Sequence, residues 1–171
     1  DIAFPMAQGK AAKSLHTDLF SWPQSADPDI RFYSGTASYA KSFELPAEYR
    51  ADGQKLFLDL GDVQKIARVR LNGQPCPDVW KAPFRVEITA LVKPGTNRIE
   101  VEATNTWANR LIGDEQLPSD LHYQRYLTAL PDWLDGSVPR KSERQTFTVQ
   151  KFSGKGDSLM PSGLLGPVVI R

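Results

Sequence analysis

The chain has 171 residues, with 21 Lys and Arg against 20 Asp and Glu and a formal charge of +1. That balance argues against a nucleic-acid binder, which carries a basic field or stripe, and no apolar run approaches the about 18 residues needed to span a bilayer. One domain accounts for the length, and the lone cysteine, Cys76, excludes an intrachain disulfide or a multi-cysteine metal site.

The chain opens on Asp1 with no charged-then-apolar leader before it, which reads as a processed or excised piece whose targeting signal is not visible. Residues 1–31 mix Pro, Ala, Lys and Asp with little alternation, and Leu19, Phe20 and Trp22 are their apolar anchors. They are expected to form an irregular lead-in lying on the next domain, or a linker. Strand periodicity begins at Thr36, where Ala37, Tyr39, Lys41, Phe43 and Leu45 share one face. Leu56, Leu58 and Leu60 repeat it, then Ala67, Val69 and Leu71 with Arg68 and Arg70 opposite. Asn72-Gly73 supplies the positive φ angles of a tight hairpin. Phe84, Val86 and Ile88 follow, Pro94-Gly95 turns the chain, and Ile99, Val101 and Ala103 alternate with Glu100 and Glu102. Phe147, Val149 and the run 168–170 complete the set. Alternation at period two buries one face of each strand, and many short strands between turns predict an antiparallel β-sandwich or jelly roll over residues 32–171.

Residues 114–145 interrupt that pattern with a long, partly helical loop. Connections of this length within a domain are uncommon and often functional. Leu121, Tyr123, Tyr126, Leu127 and Leu130 fall near helical spacing, and the segment starting at Pro131 can form one helical turn stopped by Asp135-Gly136. The plainer account, a loop covering one end of the sandwich, is the favoured one.

No catalytic constellation stands out. His16 and His122, the only histidines, lack a nearby nucleophile motif, and no Gly-x-Ser-x-Gly elbow or spaced metal-ligand pair occurs. Asp114-Glu115 is an adjacent acid pair, but neighbouring loop acids are usually solvated. Ser153-Gly-Lys-Gly-Asp157 lacks the helix that a phosphate loop needs. Aromatic residues are the better lead, because sugars stack C–H faces on rings that combine an apolar body with a polar handle. Trp80 and Trp107, with Asn109, Arg110 and Asp114, form the candidate carbohydrate-binding set. Core or lid packing also explains the tryptophans, with Trp80 plugging the sandwich edge and Trp107 continuing the inward face of the strand before it. Asn105, in phase with Val101 and Ala103, is expected to tie a loop backbone in place. Tyr123, Tyr126 and Trp133 are candidates for an interdomain contact.

The ordered motifs carry a resemblance. They run Phe32-Tyr-Ser-Gly-Thr-Ala-Ser-Tyr39, Leu58-Asp-Leu-Gly61, Val69-Arg-Leu-Asn-Gly73, Trp80-Lys-Ala-Pro-Phe84 and Pro94-Gly-Thr-Asn97. They end with Thr104-Asn-Thr-Trp107, Asn109-Arg-Leu-Ile-Gly-Asp114 and Pro161-Ser-Gly-Leu-Leu-Gly-Pro167. The set resembles the galactose-binding-like jelly-roll domain of large bacterial glycoside hydrolases. It looks closest to the C-terminal region of family 106 α-L-rhamnosidase-type enzymes and is similar to family 2 sugar-binding domains. The resemblance implies a non-catalytic ancillary domain of a periplasmic or extracellular enzyme. Its partners would be the enzyme's own catalytic domain and a plant-type oligosaccharide. An independent protein-interaction or structural module is the alternative. Some relatives of this fold hold a structural Ca²⁺ through loop oxygens, although no compact Asp-rich loop marks one here.

Overall fold

The computed structural model describes residues 1–6, 11–50 and 53–171. They form an antiparallel β-sandwich. One layer is a six-stranded sheet in the order β2-β1-β3-β9-β6-β7, built from β1 (Ile2–Phe4), β2 (Lys13–Leu15), β3 (Thr36–Leu45), β6 (Ile66–Leu71), β7 (Gln74–Pro75) and β9 (Gly95–Thr104). The facing layer joins β11-β4-β8 and the pair β10-β5, from β4 (Phe57–Asp59), β5 (Asp62–Gln64), β8 (Arg85–Glu87), β10 (Gly163–Gly166) and β11 (Val169–Ile170).

The alternation in sequence becomes the two faces of the large sheet. Ala37 and Tyr39 on β3, Val101 and Ala103 on β9, and Ala67, Val69 and Leu71 on β6 point into the core. They meet Leu58, Val63, Val86 and Leu164 of the other layer. The pairing is continuous from Thr36 opposite Thr104 to Leu45 opposite Gly95, so one register places every inward residue of β3 and β9 together. Lys41 keeps the face expected of it, opposite Ile99, but is exposed there, at the point where β1 no longer borders β3. Asn72, at φ 52°, and Gly73, at φ 81°, close the hairpin between β6 and β7 as their sequence predicts.

The described part of residues 1–31 is more ordered than its composition predicts. Here β1 lies between β2 and β3, and Phe4, Trp22 and Ile30 are core residues. Phe4, Trp22 and Tyr33 pack edge to face with centroids 5.3–5.4 Å apart, an arrangement worth about 0.5–1.5 kcal/mol per pair beyond burial. Leu19, by contrast, is exposed and Phe20 half-buried. Asp27 caps the short helix α1 (Pro28–Arg31) by accepting from the Asp29 N–H, and Lys13 on β2 bonds the carboxylates of Asp27 and Asp29. That bridge pins the helix to the edge of the sheet.

Candidate functional site

The outer face of the six-stranded sheet carries a groove of about 610 Å³, within the range of about 300–1,000 Å³ typical of ligand sites. Cross-strand register builds it row by row. Arg68 on β6 lies opposite Glu102, then Ser38, Ala3 and Ser14. One step along, Arg70 lies opposite Glu100 and then Ala40, whose N–H bonds the Asp1 carbonyl, and the Asp1 carboxylate meets His16 Nδ1 at 2.8 Å. Small side chains on β1 and β3 therefore form a floor, a charged ridge on β6 and β9 forms one wall, and β2 forms the other. Within the ridge, Arg68 contacts Asp78 at 3.3 Å and Glu102 at 3.6 Å, and Arg98 donates to Glu100 at 3.1 Å. The alternating arginines and glutamates were the sequence signal for this face. Nothing marked its centre, because serine and alanine do not stand out.

The predicted sugar-binding residues separate into two kinds. Trp80 and Trp107 are 67% and 66% exposed, so Trp80 does not plug the sandwich edge and Trp107 does not continue the inward face. The strand β9 stops at Thr104, and Trp107 heads the helix α2 (Ala108–Asp114), which turns its ring outward. Asn109 is buried: its amide donates to Met160 O and Ser162 Oγ, and its carbonyl accepts from Met160 N–H. Asp114 is buried too. One oxygen accepts from Arg110 Nε at 3.1 Å, and the other from the backbone N–H groups of Gln145 and Thr146 and the Thr146 hydroxyl. Arg110 stands near the Phe32 ring, 5.9 Å from its centroid. The polar groups of Asn109 and Asp114 are thus taken up by the fold, tying α2 to Met160 and Ser162 ahead of β10 and to Gln145 and Thr146 of the long connection. Asn105 does the expected work: it accepts from Gly35 N–H and donates to Tyr33 O and Ser162 Oγ.

The long connection is held by ion pairs rather than by a core of its own. Buried Arg144 bonds Glu115 at 2.9 Å and the carbonyls of Leu117 and Pro118. Arg140 grips Asp120 with two bonds, 2.7 and 3.0 Å, and lies over the Trp133 ring at 4.3 Å. Burial opposes ionisation of Glu115, but hydrogen bonds from Lys151 and Arg144 outweigh it and hold the carboxyl below its ordinary value. The Arg140 hydrogen bond does the same to Asp120. With Arg110 on Asp114 and two cations on Glu115, the adjacent acid pair is part of the scaffold.

Of the candidate contact aromatics, Tyr123 is half-buried and donates to Thr148 O. Trp133 sits on a single turn (Asp132–Asp135) ended by Gly136 at φ 81°, and packs edge to face on Phe147. Tyr126 is exposed, and Leu130, Leu134, Val138, Val149 and Phe152 on the same stretch are exposed with it. The expected helical spacing of residues 121–130 is not realised; Tyr123 bridges to Leu127 and Tyr126 to Gln150 instead. Cys76 is buried, and burial pushes its thiol up. Among the described residues no group of three His, Cys, Asp or Glu is placed to hold a metal ion, and no helix is long and apolar enough to cross a membrane.

A family model for the glycosyl hydrolase 2 galactose-binding domain-like domain matches residues 5–131. The chain belongs to this family. This galactose-binding-like domain is 46% identical, over its whole length, to a protein of Formosa agariphila described as "Putative beta-glucuronidase", of which it spans 15%. It also superposes on the structure of a rhamnosidase from Novosphingobium sp. PP1Y with a TM-score of 0.76 and 32% identity, covering 99% of this chain and 14% of that one. The galactose-binding-like domain therefore corresponds to about a seventh of the length of each of these two proteins.

Proposed function

We propose that the chain is a non-catalytic domain of a glycoside hydrolase, packed against the catalytic part of the enzyme through its long connection. The observation that carries this is the exposure of Tyr126, Leu130, Leu134, Val138, Val149 and Phe152 on one polar-anchored stretch. Exposed apolar surface of this kind marks contact sites when it is concentrated rather than scattered. The relatives supply the context, since each is a glycosidase by name and several times longer than this chain. A carbohydrate-binding role is the second reading, favoured by the open groove and by the outward rings of Trp80 and Trp107.

Hydrogen exchange tests the packing role. Backbone amides in 126–152 are expected to exchange more slowly in the intact parent enzyme than in the 171-residue chain alone. Equal exchange in the two would overturn it. The isolated chain is also expected to cleave no aryl glycoside, and turnover by the pure chain would sink the non-catalytic assignment.

A further inference from the structure

The ridge beside the groove leaves one cation over. Arg68 is engaged by Asp78 and Glu102, and Arg98 by Glu100. Arg70 stands between these two pairs, directly across from Glu100, whose carboxylate is taken by Arg98. Among the described residues Arg70 has no acidic partner, and its side chain is exposed at the groove wall. A guanidinium presents a planar fork of donors that fits a carboxylate with two parallel bonds. Across the Glu100 row from it, the floor of Ser38 and Ala40 lies low, so a ring can approach the sheet, and the carboxylates of Glu100 and Glu102 between them can accept from hydroxyls.

We propose that this groove binds a glycan segment bearing a carboxylate, with Arg70 gripping the acid and the Ser38–Ala40 floor carrying the sugar ring. The inference deepens the second reading of the domain by naming a ligand class. Its test uses the 171-residue chain, which has its own core, so its failure leaves the packing role standing.

The probes are a uronate tetrasaccharide and cellotetraose, a neutral chain of equal length, each titrated into the 15N-labelled protein. The uronate is expected to move the Ser38 and Ala40 amide peaks and the Arg70 Nε peak, and its affinity to weaken as salt is raised. Arg70→Gln should reduce affinity at least about tenfold with an unchanged melting temperature, because the side chain lies on the outer face and no partner is lost. Arg70→Lys should recover part of the affinity, keeping the charge but not the fork. Ala40→Phe, which fills the floor and leaves Arg70 in place, should also abolish the shifts. Equal binding of cellotetraose, no response to the uronate, shifts centred on Trp107 instead, or full affinity in Arg70→Gln would each overturn the proposal.

Discussion

The indole Nε1 of Trp22 donates to the phenol oxygen of Tyr39 at 2.7 Å, and the same oxygen accepts from the Leu164 N–H at 3.1 Å. Three distant stretches of chain are thus joined at one atom: the turn holding Trp22, the central strand β3 and the strand β10 of the other layer. Burial pushes the Tyr39 phenol up, so it stays neutral.

Tyr39→Phe keeps the ring and strands two buried donors. An unsatisfied buried donor costs about 1–3 kcal/mol, so the variant should unfold at clearly lower urea concentration, with tryptophan emission as the readout. A wild-type midpoint would show that the bonds carry no net stability.

Gly163 faces the same atoms. It has φ +102°, and a Cβ placed there would overlap Trp22 Nε1 and crowd the Tyr39 oxygen. Gly73 has φ +81° with open space around it. Gly73→Ala should therefore cost only the backbone strain, on the order of 1 kcal/mol, while Gly163→Ala should cost several times more. Similar melting temperatures for the two variants would refute the steric account.

Asp114 holds the start of the long connection to its end. Asp114→Ala leaves Arg110 uncompensated and removes the acceptor of three donors, a loss of about 3–5 kcal/mol by analogy with other buried ion pairs. Amides of Gln145 and Thr146 should exchange much faster, while Val101 at the sheet centre stays protected. Asp114→Asn, which keeps an acceptor, should show a smaller effect. Unaltered exchange at both amides in both variants would contradict the anchoring role.

Acid should loosen the same connection. Glu115 and Asp120 are held below their ordinary values by Lys151, Arg144 and Arg140, against the cost of burial. Carboxyls lowered in the folded state add stability that is full above the unfolded values of about 4.3 and 3.9. That contribution is lost as the pH falls below them, through the lowered folded values. Protease cutting within residues 120–145 should therefore rise below about pH 4 before the sandwich unfolds. Arg140→Gln should move the onset to higher pH, and an unmoved onset would count against it.

The sandwich was legible where strands are long and half-buried. Ten residues of β3 and ten of β9 show their period plainly, and Asn72-Gly73 names its own turn. The strands β1 and β2 were not legible, because three residues carry no measurable period and their pairing is set by β3, far along the chain. Side-chain placement beyond the long strands was less legible for a related reason. Asn109 and Asp114 look like ligand groups in a list of residue types, yet a seven-residue helix points them inward. Trp107 looked like the next inward residue, but the strand had already ended. The groove leaves no mark in the sequence because its defining property is the smallness of Ala3, Ser38 and Ala40, which only register across strands brings together.

The range matched by the family, residues 5–131, omits Ile2–Phe4 at one end and both Gly163–Gly166 and Val169–Ile170 at the other. Anyone trimming the gene to that range would cut away the border of β3, the mate of β5 and the mate of β4. Such a truncated product would expose raw strand edges in both layers, and clumping during expression would be its natural fate.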